Sequence, residues 1–202
     1  MKIAYLHGFQ SSSKARKATI LKNELSSLYP DIEFVSLDFP DDIHKAVDVL
    51  SDFVKNELQK GTDLCLVGSS MGGFFSLVLQ VKFDLKIALV NPCIYPSEFC
   101  IDHSLVNVQL ENFDTHDKFV ITQSDIEYLK ELEEKIKEYK LKKTAVFLQT
   151  GDEVLDYTKA VAFFKDSYVN IENGGSHTYE NFEKCIHAIV NFFRKESNRA
   201  LN

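Results

Sequence analysis

The sequence predicts an α/β protein with a mostly parallel sheet of about six strands and helices on both of its faces. Three observations carry this. Short apolar runs alternate with amphipathic stretches along the whole chain. Several runs, such as Leu64-Cys65-Leu66-Val67 and Ile87-Ala88-Leu89-Val90, are apolar at every position, as strands covered on both faces must be. Seven of the eight glycines fall just after such runs, at Gly8, Gly68/Gly72/Gly73, Gly151 and Gly174/Gly175. Ligands of open parallel sheets bind beyond the carboxyl ends of the strands, and glycine serves where backbone turns sharply or approaches a ligand closely.

In chain order, strands are expected at Ile3–Leu6, Glu33–Leu37, Leu64–Val67, Ile87–Val90, Ala145–Leu148 and Tyr168–Ile171. Helices are expected near 14–28, 42–59, 71–82, 124–141, 156–165 and 179–195. The helix over 42–59 stops at Lys60-Gly61, where glycine supplies a left-handed residue. In 124–141, Ile126, Leu129, Leu132, Ile136 and Tyr139 recur every three or four residues. Asp125 and Glu127 lead that helix and Lys140, Lys142 and Lys143 close it, the charge order a helix dipole favours. Residues 91–123 show no sustained period, yet Phe99, Ile101, Leu105, Val106, Val108, Leu110 and Phe113 argue against disorder. They read as a small cap-like insertion over the carboxyl edge of the sheet within a single domain spanning 1–202.

Composition sets the outer bounds. A chain of 202 residues, 45% hydrophobic and 26% charged, can bury roughly 70% of its surface in one core. Its net charge of −7 repels phosphate backbones and anionic bilayers, so neither nucleic acid nor membrane is an expected partner. No apolar run reaches the ~20 residues of a membrane span, and Met1-Lys2 leads into an apolar run too short for a signal peptide. The cysteines, Cys65, Cys93, Cys100 and Cys185, form no C-x-x-C pair. Buried free thiols, a cytoplasmic location and no cofactor or metal ion are therefore expected, with the protein a monomer or weak homodimer.

Gly68-Ser69-Ser70-Met71-Gly72 matches G-x-S-x-G directly after an apolar run and before a helical pattern. This composition would produce such a pentapeptide by chance only about 0.025 times in a chain of this length. A tight strand-to-helix turn of this kind lifts a serine hydroxyl above the sheet and aims a helix N-terminus at the reacting centre. Ser70 is the central residue; Ser69 would need a glycine where Val67 stands. The glycines fit neither G-x-G-x-x-G nor G-x-x-x-x-G-K-S/T, which argues against a phosphate loop.

A serine hydroxyl needs a base. His187 and His44 lie in helical patterns, and His103 and His116 in the insertion. His177 follows the last strand and precedes the last helix, at the sheet's carboxyl edge. The base in turn needs a carboxylate to fix its tautomer. Asp152 stands beyond the next-to-last strand after Gly151; Asp156 reads as a helix cap and Glu153 as facing solvent. One oxyanion donor is the N–H of Met71, and the other comes from the loop after the first strand, from Phe9 or alternatively Gln10. His7 is expected to brace that loop.

These residues also carry a resemblance. The order His7-Gly8, Ser70, Asp152, His177 resembles the α/β-hydrolase superfamily. Tyr5-Leu6-His7-Gly8-Phe9-Gln10-Ser11-Ser12, Val90-Asn91-Pro92, Gln149-Thr150-Gly151-Asp152-Glu153-Val154-Leu155-Asp156-Tyr157 and Gly174-Gly175-Ser176-His177 resemble small bacterial esterases of the YqiA type. The resemblance implies a minimal three-layer α/β-hydrolase fold and a triad of Ser70, Asp152 and His177. It also implies hydrolysis of small carboxylic ester or thioester substrates through an acyl-enzyme. His-Gly-Phe stands where many lipases have His-Gly-Gly-Gly, so bulky or tertiary-alcohol esters are not expected. The alternatives are a non-catalytic scaffold binding a ligand or partner, and an amidase or peptidase using the same triad. Because the base must be neutral, activity is expected to rise with pH through roughly 6–7. Lys14, Arg16 and Lys17, close in sequence to the oxyanion loop, are candidate contacts for an anionic part of the substrate such as the phosphates of an acyl-CoA, with Gln10 beside them.

Overall fold

The structure is a computed structural model and describes residues 1–195. Six strands form its main sheet: β1 (Lys2–Leu6), β2 (Glu33–Leu37), β3 (Leu64–Ser69), β4 (Lys86–Val90), β7 (Thr144–Gln149) and β8 (Tyr168–Glu172). Two short strands, β5 (Gln109–Glu111) and β6 (Lys118–Val120), pair antiparallel as a separate hairpin. The helices are α1 (Arg16–Leu28), α2 (Ile43–Gln59), α3 (Met71–Phe83), α4 (Pro96–Asp102), α5 (Gln123–Lys137), α6 (Tyr157–Phe163) and α7 (Glu183–Arg194).

The sheet runs β2-β1-β3-β4-β7-β8 and every neighbouring pair is parallel. Alternate strand residues feed two separate cores. Ala4, Leu6, Leu66, Leu89 and Val146 pack with α2, α3 and α5. Ile3, Tyr5, Val67, Val90 and Phe147 pack on the other face with α1 and α7. Strands apolar at every position are therefore read correctly as covered on both sides. β1 leaves for one edge through α1, whereas β3 leaves for the other through α3. The strand order thus reverses between β1 and β3, and a crevice opens beyond their carboxyl ends.

The six strands of the main sheet match the expected ones within two residues at each end, whereas β5 and β6 were not expected. Helix ends differ more, for local reasons. α1 starts at Arg16, with Ala15 in extended backbone at its N-cap and no side chain capping it. α5 opens one residue earlier than expected, at Gln123 behind the Thr122–Asp125 capping box, and closes on Lys135 and Lys137, before the Lys140–Lys143 run. Asp156 caps α6 through the Thr158 N–H, as expected. α7 begins at Glu183, four residues later than expected, because Tyr179 and Asn181 hold left-handed φ angles of 59° and 55°. The aperiodic region between β4 and α5 contains α4 and the β5–β6 hairpin. Among the described residues, no helix is long and apolar enough to cross a membrane.

Candidate active site

Register delivers the first part of the site. Leu6 of β1 lies opposite Gly68 of β3, so two residues further on Gly8 and Ser70 arrive side by side. A methyl group on Gly8 would stand 3.3 Å from Ser70 Cβ. Ser70 is the N-cap of α3 with φ 54° and ψ −119°, a conformation that costs a non-glycine residue about 1–3 kcal/mol. The strain is held by its surroundings. The Ser70 N–H donates to the Val90 carbonyl at 3.2 Å, and its own carbonyl accepts from Gly73 and Cys93 at 2.9 and 3.0 Å. Gly72 has no room for a side chain, since a Cβ there would collide with the carbonyl oxygens of Leu6 and His7.

The second part comes from β7 and β8, paired through Gln149 and Glu172. Beyond their ends, Asp152 Oδ2 and Oδ1 lie 2.9 and 3.0 Å from His177 Nδ1. A carboxylate only accepts, so Nδ1 carries the proton and Nε2 is left as an acceptor. His177 Nε2 stands 3.1 Å from Ser70 Oγ and takes the hydroxyl's hydrogen bond. The Asp152 side chain is 2% exposed and that of His177 20% exposed. Asp152 Oδ1 also accepts from the N–H groups of Val154 and Leu155, at 2.9 and 2.8 Å, which fixes the carboxylate in its loop.

A cavity of about 730 Å³ opens onto these groups. Met71, Phe99, Cys100 and Ile121 give it an apolar wall, while Lys14, Arg16 and Lys17 line it near the start of α1. Lys17 Nζ donates to the Thr178 carbonyl at 2.9 Å, next to His177. Burial lowers the Lys17 pKa to about 8, partly opposed by the nearby negative charge of Asp152.

The family described as "Uncharacterised protein family (UPF0227)" matches residues 2–194. The chain belongs to that family. Among solved structures, the UPF0227 chain is similar to Est1E from Butyrivibrio proteoclasticus, at 19% identity over 95% of this chain and 86% of that one, with a TM-score of 0.73. It is similar to the monoacylglycerol lipase of Paleococcus ferrophilus at 12% identity, over 95% and 94% of the two chains, with a TM-score of 0.67. Mouse alpha/beta hydrolase domain-containing protein 10 is 16% identical over 94% and 86%, with a TM-score of 0.60. The UPF0227 chain thus has the α/β-hydrolase fold.

Ser70 and Asp152, well separated from each other and from His177 in the UPF0227 sequence, both lie within hydrogen-bonding reach of His177. Phe9, Gln10 and Met71 border the same cavity. Gln10 turns its side-chain amide away, donating to the Glu111 carbonyl at 2.8 Å. The Gln10 backbone N–H faces the Asp41 carboxylate. His7 is buried, donates from Nδ1 to the Gly8 carbonyl at 2.9 Å and stacks on Phe39 at 3.9 Å, so it does brace its loop. Burial lowers its pKa. The remaining histidines have other partners: His44 stacks on Tyr128, His103 meets the Phe99 carbonyl, His116 meets Glu111, and His187 meets Tyr29.

Glu153 is exposed, as expected, and its carboxylate also accepts the His177 backbone N–H at 2.9 Å. Two residues were missed as part of the site. Asn91 donates to the carbonyls of Ser176 and His177, at 3.0 and 3.3 Å. Gln149 accepts from Ser176 and Glu180 at 3.1 and 2.8 Å. The available signal was a polar side chain ending an otherwise apolar strand, next to a glycine-rich loop. Gly175, at φ 76°, is needed there because a Cβ would enter the Gln149 side chain.

Proposed function

We propose that the chain is a serine hydrolase that cleaves small carboxylic esters or acyl thioesters through an acyl-enzyme. The observation that carries the reading is His177, bonded through Nδ1 to Asp152 and through Nε2 to Ser70. His177 takes the Ser70 proton as Oγ attacks the acyl carbonyl, and Asp152 stabilises the imidazolium that results. His177 then gives the proton to the departing alcohol or thiol. Water, activated by the same imidazole, releases the acid.

The oxyanion is assigned to the N–H groups of Met71 and Phe9. Met71 is the first residue of α3, so its N–H has no acceptor within the helix. The Gln10 backbone N–H lies near the Asp41 carboxylate, which favours Phe9 as the second donor. Each donor is worth about 3 kcal/mol of barrier. The acyl chain is placed against the apolar wall of the cavity. Lys14, Arg16 and Lys17 are assigned to any anionic part of the substrate, and the 91–123 segment to a small cap over the site.

The test is turnover of a panel of acyl esters, acyl thioesters and anilides by the purified protein and two variants. Ester or thioester cleavage is expected, with Asp152→Asn slower by about 10⁴-fold in kcat. Unchanged cleavage by Ser70→Ala would refute the reading, and faster turnover of anilides than of esters would move it to amide chemistry.

A further inference from the structure

The loop carrying Phe9 is held from outside by a residue a hundred positions away. Asn112, in the turn of the β5–β6 hairpin, is 3% exposed. Its Nδ2 donates to the Ser11 carbonyl at 3.0 Å and to Asp41 Oδ2 at 2.8 Å. Its Oδ1 accepts from the N–H groups of Asp114 and Thr115, at 2.9 and 3.1 Å. The amide has two donors and two acceptor sites, and all four are used. Asp41 in turn faces the Gln10 amide.

Gln10 needs such help. Its φ of 55° is unfavourable for a residue with a side chain, and it follows Phe9 directly. The hairpin holds it on both sides, since the Phe113 N–H donates to the Gln10 carbonyl at 3.0 Å and the Gln10 side chain donates to Glu111. Ser12 Oγ adds a bond to Asp114 at 2.8 Å. The Phe119 ring of β6 meets Phe9 edge-on at 5.6 Å. The hairpin is therefore joined to the loop by hydrogen bonds at three successive residues, 10, 11 and 12.

We infer that Asn112 is a positioning residue for the reaction, fixing through Ser11 and Asp41 the direction of the Phe9 N–H. The inference rests on the serine-hydrolase reading and assigns the hairpin a part in transition-state stabilisation. A hydrogen-bond donor aimed at the developing oxyanion acts on the transition state more than on bound substrate. Loosening the clamp should then lower kcat and leave KM nearly unchanged. A hairpin that merely shaped the pocket would show its loss in KM.

Asn112→Asp is the isosteric test. It keeps the acceptor of the hairpin turn and sets a second carboxylate against Asp41. The expected result is a fall in kcat of about 10- to 100-fold with KM within about twofold, the size of effect that a small misplacement produces. The double variant Asp41→Asn/Asn112→Asp swaps donor and acceptor between these two positions but leaves the Ser11 carbonyl without its donor, so it should recover part of the loss. Backbone amide exchange at Gln10 and Ser11 should be faster in Asn112→Asp than in the wild type. A wild-type kcat in Asn112→Asp, a loss confined to KM, or no recovery on swapping would overturn the inference. Should Asn112→Asp fail to fold, Asp41→Ala, which removes the acceptor altogether, carries the same direction of kinetic change, and a wild-type kcat there would overturn the inference. Failure of the wild type to cleave any ester or thioester would instead strike the hydrolase reading; unaltered amide exchange would separately strike the clamp.

Discussion

Asn91 and Gln149 stand on adjacent strands' ends and are bonded to each other, the Gln149 N–H donating to Asn91 Oδ1 at 3.1 Å. Together they grip the loop that carries His177. Asn91 takes the carbonyls of Ser176 and His177, while Gln149 pairs with both backbone groups of Glu180. Both side chains are almost fully buried. Buried amides bonded on every side fix geometry because leaving any of those groups unpaired costs about 1–3 kcal/mol.

Replacing Asn91 by Leu removes the anchor of this loop and strands two carbonyls and one N–H. Stability should fall by about 2–4 kcal/mol, read by urea unfolding. In the folded fraction kcat should fall by about 10- to 100-fold, because His177 is no longer held against Ser70. Unchanged kcat in a folded Asn91→Leu protein would contradict this role.

Lys17 supplies a pH test. Its pKa is lowered from 10.5 to about 8, chiefly by burial. Its positive charge is therefore present at neutral pH and lost as pH rises through about 8. The preference in kcat/KM for an anionic over a neutral ester with the same leaving group should decline across that range. Lys17→Met should show a smaller preference with no such decline. The linkage has a second consequence. Between about 8 and 10.5 the unfolded chain holds the lysine proton more tightly than the folded one, so wild-type stability should rise with pH relative to Lys17→Met. A preference that is constant from pH 7 to 9.5 would contradict the assignment of Lys17.

Gly72→Ala tests the elbow. The added methyl would meet the carbonyls of Leu6 and His7, both backbone atoms of the central strand β1 and its loop. Overpacking against backbone should cost about 3 kcal/mol or more and sharply reduce folded yield. A Gly72→Ala protein with wild-type thermal stability would show that the turn is looser than described.

The four thiols should be silent. Cys65, Cys93, Cys100 and Cys185 are all free and buried. Burial pushes Cys65 up to about 12 and Cys100 and Cys185 up to about 11, with Cys93 raised as well. The reactive form is the thiolate, so a disulfide reagent at neutral pH should titrate all four only after unfolding. Rapid reaction of any one thiol in the native protein would contradict the packing around it.

The sheet was legible because its inner strands β3, β4 and β7 are almost wholly apolar and buried, and all six strands are short enough for glycine and charge to mark their ends. Ser70, Asp152 and His177 stood out as candidates because each follows a strand and lies within two residues of a glycine. The rest was hidden for physical reasons. The seven residues of α4 make two turns, and β5 and β6 have three residues each, too few for any period to emerge. Tyr179 and Phe182 keep helical spacing with Ile186, yet they enter the core from a loop with left-handed residues, so α7 read as too long. Asn91 and Glu153 lie in segments that carry the resemblance, but neither they nor Asn112 showed a role in the sequence, because their partners are brought to them only by the folded chain.

The most direct measurement of the central claim is covalent labelling by a fluorophosphonate, followed by peptide mass analysis to locate the adduct. Such a reagent reacts with a serine whose hydroxyl is activated by a neighbouring base. One adduct is expected, on Ser70, lost in Ser70→Ala and strongly slowed in His177→Ala. An intact wild-type protein that takes up no label, or takes it up equally without the Ser70 hydroxyl, would contradict it.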